Sequence, residues 1–176
     1  MNLIYKNWVN NRLKDENLIT AIQTLRNFIM ANSTFISALI ILIGILIGLY
    51  SSDFLDNSTF WGISGISVGF IQIMLNIGVA SFCLINFTFS IRLINRTGLL
   101  LTGKPQEYSI GNINGLEITR KAFIKAQNHW LSGVRGLFFL VGSLIWFVNA
   151  GLFIIATIGI TLYLILFQDI WRISKE

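Results

Sequence analysis

The chain has 176 residues, 54% of them apolar and 12% charged, with a mean hydropathy of +0.70. Soluble domains carry about 25% charged residues, so this composition excludes an ordinary water-soluble domain. The formal charge of +5 would suggest a nucleic-acid partner in a soluble protein. Here it flanks apolar segments, so anionic lipid headgroups are the expected counterpart and nucleic acid is not.

Residues 1–27 read as a cytoplasmic amphipathic segment. A turn bearing Ile4, Tyr5 and Trp8 is expected at headgroup level, where Trp and Tyr are common. Asp15, Glu16 and Asn17 then favour a helix start, and Leu18, Ile22, Leu25 and Ile29 recur at helical spacing. This long, patterned lead-in is unlike the short basic start of a cleavable signal peptide. Residues 27–52 carry no Asp, Glu, Lys, Arg or His. A hydrocarbon core of about 30 Å needs roughly 20 helical residues, so a first span is expected over 28–50. Within it, Gly44 and Gly48 stand four apart, a spacing that lets helix backbones approach closely; Gly65 and Gly69 repeat it.

An external loop and interfacial segment follow over 51–67, including Trp61, and a second span is expected over 68–91. Residues 92–135 form a cytoplasmic loop and a second amphipathic helix from about Leu116 to Arg135. The stretches Thr102–Pro105 and Gly111–Gly115 read as loops, because Gly103-Lys104 lacks the upstream glycine and following Ser or Thr of a phosphate-binding loop. Along the helix, Leu116, Phe123, Trp130 and Leu137 repeat every seven residues, with Thr119, Ala126 and Gly133 on the same stripe. Arg120, Lys121 and Lys125 form a basic face elsewhere on it. Such a helix either packs on the segment 1–27 or lies on the bilayer surface.

Residues 136–168 are again uncharged and fit either one strongly tilted helix or two helices joined at Asn149-Ala150-Gly151. The distribution of charge separates these. All 13 Lys and Arg fall within residues 1–27, 92–135 and 172–175. Four spans put every one of them on the cytoplasmic side, whereas three would leave Arg172 and Lys175 outside. The expected fold is therefore an all-α integral membrane protein with four transmembrane helices, both termini cytoplasmic, and amphipathic cytoplasmic helices. The third span covers 136–148, the external turn 149–151, the fourth span 152–171 and a cytoplasmic tail 172–176.

No carboxylate, Lys or Arg lies at mid-membrane depth, which weighs against a proton-coupled carrier or an ion pump. Gln72, Asn76 and Asn86 fall roughly along one side of the second span, with Thr88 beside them. They suit either hydrogen bonds between helices or a polar translocation stripe. His129 is the sole histidine and Cys83 the sole cysteine. No disulfide within the chain, metal site, cofactor site or catalytic triad is expected from them.

Three segments carry a resemblance to a known family. They are Asn27–Leu42, entering the first span through Asn32-Ser33-Thr34; Phe87–Arg92 with Asn95 and Leu101–Gly103; and Asn128-His129 with Gly133, Arg135-Gly136 and Trp146-Phe147. Their order resembles the multi-pass membrane family called domain of unknown function 599, found in prokaryotes and plants. Asn149-Ala150-Gly151 stands where that family's pattern would place a proline-containing turn. The resemblance implies a helical membrane fold and no activity.

The expected function is that of a non-catalytic accessory or structural subunit in a cell membrane, not that of an enzyme. It would pack against other membrane subunits, for instance of a membrane oxidase or monooxygenase, or against itself. A small oligomeric transporter using Gln72, Asn76 and Asn86 is the alternative, and a lipid-binding, membrane-shaping protein using Arg120, Lys121 and Lys125 is the third reading.

Overall fold

The computed structural model describes residues 2–14, 18–50, 67–103, 107 and 109–169. Residues 51–66 of the expected 51–67 segment with Gly65, the helix-start residues Asp15–Asn17, the end of the expected fourth span at 170–171 and the tail 172–176 lie outside the described residues. In chain order the elements are α1 (Asn2–Lys14), α2 (Leu18–Leu49), α3 (Val68–Thr102), β1 (Ser109–Ile110), β2 (Ile113–Asn114), α4 (Gly115–Ile145) and α5 (Ala150–Tyr163). A π-helical segment, Leu164–Asp169, continues α5. The fold is all-α apart from a minimal hairpin, in which Ser109 pairs with Asn114 and Ile110 with Ile113. Gly111 takes φ 60 in its two-residue turn, a left-handed conformation that glycine adopts without strain.

Two helices, Ile19–Leu49 within α2 and Val68–Thr102, are long and apolar enough to cross a membrane. At 1.5 Å per residue, 32 and 35 residues extend roughly 48 and 52 Å, well beyond a core of about 30 Å. α3 begins at Val68 and continues past Ile91 to Thr102, and α4 runs unbroken through the expected boundary at residue 136. Uncharged windows locate what can enter lipid, but helix ends are set by capping and breaking residues, so the helices outrun those windows.

The chain forms two compact units, Met1–Ile36 with Ile85–Ser132 and Ser37–Leu84 with Gly133–Glu176. In the first, Val9, Leu25, Ile94, Leu101, Phe123 and Ala126 form a buried core. Of its described charged side chains, Lys6, Arg26, Arg92, Arg96, Glu107, Glu117, Lys121 and Lys125 are exposed and Arg120 is half-buried. α1 is a full helix rather than an isolated turn, and it docks on α4. Trp8 stacks on Phe123 with ring centroids 4.9 Å apart, and Tyr5 meets the same ring edge-on at 5.7 Å. These two aromatics are thus packed against protein, which differs from the headgroup placement their composition suggested. The heptad stripe of α4 supplies the complementary face, with Thr119 and Ala126 fully buried.

The second unit has the opposite polarity. Ile40, Ile41, Ile45, Ile47, Val141, Ile154, Ile155 and Ile158 are exposed, whereas Gln72, Asn76 and Ser143 are buried. α5 buries no residue at all within the chain. Among the described residues of this unit only Arg135 and Asp169 are charged. Close helix packing here centres on Gly136: a Cβ built there would stand 2.5 Å from Cys83 Sγ and 3.3 Å from Phe82 Cδ1.

Candidate functional site

The polar groups of the second unit gather where α4 ends. A helix leaves its last four carbonyls without intrahelical partners, and buried carbonyls need partners. Three are met by tightening: Trp146 N–H donates to Ser143 O, Phe147 N–H to Leu144 O and Val148 N–H to Ile145 O, at 3.0–3.2 Å. These are the three-residue bonds of a 3₁₀ turn. The next carbonyl, Trp146 O, accepts from Gln72 Nε2 of α3 at 3.1 Å. Asn76 Nδ2 donates to Gln72 O at 2.8 Å and reaches Ser143 O at 3.4 Å. Ser143 Oγ lies 2.8 Å from Asn76 Oδ1 and 2.9 Å from Leu140 O, so its single proton has two acceptors.

On the other side of the corner, Asn149 begins α5. Its Oδ1 accepts from Gly151 N–H at 2.7 Å and Leu152 N–H at 3.2 Å, as an N-cap does. Trp146 stacks on Phe153 across the corner, with centroids 5.2 Å apart. The stretch 136–168 is therefore two helices with a break at 146–149. Gln72, Asn76 and Asn149 complete the backbone hydrogen bonding of that break.

Asn86, further along α3 in the first unit, has a partner of its own. Asn86 Oδ1 is 3.0 Å from His129 Nδ1, which makes Nδ1 the protonated ring nitrogen. The ring of Phe89 lies 5.5 Å from the imidazole. Burial, and secondarily the charge of Lys125, hold His129 below its ordinary pKa, so the imidazole is neutral near pH 7. Nearby, Ser90 Oγ donates to Ala126 O at 3.0 Å. Asn32 Nδ2 donates to Phe28 O at 2.8 Å, but Asn32 Oδ1 is buried without a hydrogen-bond partner. Thr88 is exposed.

The basic face of α4 divides in two. Arg120 is half-buried and its guanidinium donates to Asn10 Oδ1 of α1, with Nε at 3.0 Å and Nη2 on the same oxygen. Lys121 and Lys125 are exposed, and Lys121 Nζ pairs with Glu117 at 2.7 Å. The hydrogen bond from Lys121 holds the Glu117 carboxyl below its usual range, helped by the charges of Lys121, Arg120 and Lys6. Gly44 and Gly48 are exposed, and a Cβ at either meets no described atom within 4 Å; Gly69 is buried. Cys83 is a buried free thiol. Among the described residues no group of three or more His, Cys, Asp or Glu side chains could hold a metal ion.

Ser143 and Asn10 carry no signal in the sequence, and Asn32 stands out only within the family-like entry to the first span. A lone serine in an apolar run and an asparagine among many give no signal of a partner 67 or 110 positions away.

The described residues form an all-α protein in which two helices are long and apolar enough to cross a membrane. The family described as "Protein of unknown function, DUF599" matches residues 1–170, and the chain belongs to that family. No curated protein and no solved structure matches the chain.

Proposed function

We propose that this chain is a four-span protein of a prokaryotic plasma membrane, with both termini cytoplasmic, that serves as a non-catalytic subunit packing against other membrane proteins. The observation that carries the reading is the inverted polarity of the second unit. Exposed Ile and Leu side chains surround buried, hydrogen-bonded Gln72, Asn76 and Ser143. In water such a surface would cost roughly 25 cal/mol for each Å² of apolar area left uncovered. In lipid the preference reverses, because buried amides need internal partners and apolar side chains do not.

The break at 146–149 supports four spans. The backbone groups that the helix ends leave open at this external turn are met by Gln72 and Asn149. The accessory role is supported by α5, none of whose residues is buried among the described residues, and by the exposed Gly44 face of α2. The translocation reading gains no comparable support, since Gln72 and Asn76 donate to backbone carbonyls of Trp146 and Gln72.

Extraction from the native membrane in mild detergent, followed by native electrophoresis and mass spectrometry, tests the role. A stoichiometric set of larger membrane proteins is expected to follow the chain. Migration alone or as a homo-oligomer would refute the accessory assignment.

A further inference from the structure

We propose that the exposed first turn of α1, carrying Leu3 and Ile4 beside Lys6, is a contact surface for an anionic lipid bilayer; this rests on the membrane reading above. The basic segment that sequence pattern favours for lipid contact is on α4, but two of its three cations are engaged within the chain. Arg120 is held by Asn10 and Lys121 by Glu117. α1 differs in having no carboxylate of its own, although the charge of its Lys6 reaches Glu117 of α4. α1 carries Lys6, Arg12 and Lys14. It also turns Tyr5, Trp8 and Val9 onto the α4 core while leaving Leu3 73% and Ile4 67% exposed.

Only two other described large apolar side chains of the first unit, Ile19 and Leu99, exceed 60% exposure, and they stand singly in their helices. Two adjacent apolar side chains next to an exposed ammonium, on a helix without carboxylates, match the chemistry of an interfacial membrane contact. The alkyl groups enter the headgroup boundary while the cations meet anionic lipid. The rest of the helix is already fixed by aromatic stacking on Phe123, so the tip is presented in a defined orientation. Ordering it on the surface then costs little further chain entropy.

The test uses the full chain in nanodiscs of neutral phosphatidylcholine, with or without anionic phosphatidylglycerol. Single cysteines replace Leu3, Ile155 or Asn112 in a Cys83→Ala background and carry a fluorophore. Quenching by nitroxide-bearing lipids is measured. The Leu3→Cys label is expected to be quenched by headgroup-region nitroxides in anionic discs, and less in neutral discs or high salt. Lys6→Gln is expected to reduce that anionic preference roughly fivefold, the effect of one basic residue near such a surface. The Asn112→Cys label on the hairpin should stay unquenched in both discs.

Quenching of Leu3→Cys no greater than that of Asn112→Cys, with Ile155→Cys quenched by acyl-chain nitroxides, overturns this proposal alone. Quenching of Leu3→Cys that ignores lipid charge and salt overturns the anionic assignment. An unquenched Ile155→Cys label overturns the membrane reading and this proposal with it.

Discussion

Gly136→Ala is the sharpest perturbation of the second unit. A Cβ at this position would stand 2.5 Å from Cys83 Sγ and 3.3 Å from Phe82 Cδ1. Non-bonded carbon atoms settle at about 3.5–4.0 Å, so relief requires a movement on the order of 1 Å between α3 and α4. Cys83 is fully buried and has no solvent to swing into. Overpacking of this kind costs about 1–3 kcal/mol. That loss opposes, and exceeds, the gain of up to about 1 kcal/mol that alanine brings to a helix interior. A clear fall in melting temperature in detergent, followed by circular dichroism, is therefore expected. Cys83→Ala in the same molecule removes Sγ and should restore most of the loss, which a general helix defect would not allow. As the matched control, Gly44→Ala should leave the isolated chain unchanged or slightly more stable, because nothing described lies within 4 Å of its Cβ. A Gly136→Ala protein that melts at or above the parent temperature would refute the packing argument.

Gln72→Leu should leave Trp146 O without its donor and lower stability by about 0.6–1.7 kcal/mol, read in the same melting experiment. Liposome flux assays of that variant should show no transport lost relative to the parent. Asn32→Leu removes a buried acceptor that has no partner, so it should stabilise the chain by about 1 kcal/mol; a large destabilisation would mean that the oxygen is in use. Because His129 is held below its ordinary pKa, the unfolded chain binds more protons than the folded one between the two values. Stability is then full above the unfolded value of about 6.5 and is lost as pH falls through the folded value. His129→Phe should flatten this part of the pH–melting profile.

Much of the architecture was legible because lipid imposes a simple rule on sequence. Uncharged windows at 27–52, 57–91 and 136–168 fall on the apolar helices, and the turn residues Asn149-Ala150-Gly151 sit where α4 gives way to α5. The amphipathic stripe of α4 leads directly into its apolar end, and the two patterns lie on one helix from Gly115 to Ile145. The polar stripe shows a limit. Periodicity puts Gln72, Asn76 and Asn86 on one side of α3, but partners decide their roles. Gln72 serves a carbonyl at Trp146 and Asn86 serves His129, contacts separated by 74 and 43 positions in the chain. The aromatic turn of α1 is a parallel case. Trp and Tyr suit both a headgroup layer and a protein groove, and Phe123 provides the groove.

In the proposed topology residues 136–168 cross the membrane twice, with the break at 146–149 on the external side. Labelling with a membrane-impermeant thiol reagent tests it directly, using single cysteines at Val148 and Asn112 in a Cys83→Ala background in intact cells. Val148 is exposed at the break and Asn112 at the hairpin turn. The account predicts that Val148→Cys is labelled in intact cells and Asn112→Cys only after permeabilisation. Val148→Cys protected from the reagent in intact cells, or Asn112→Cys labelled in them, would contradict it.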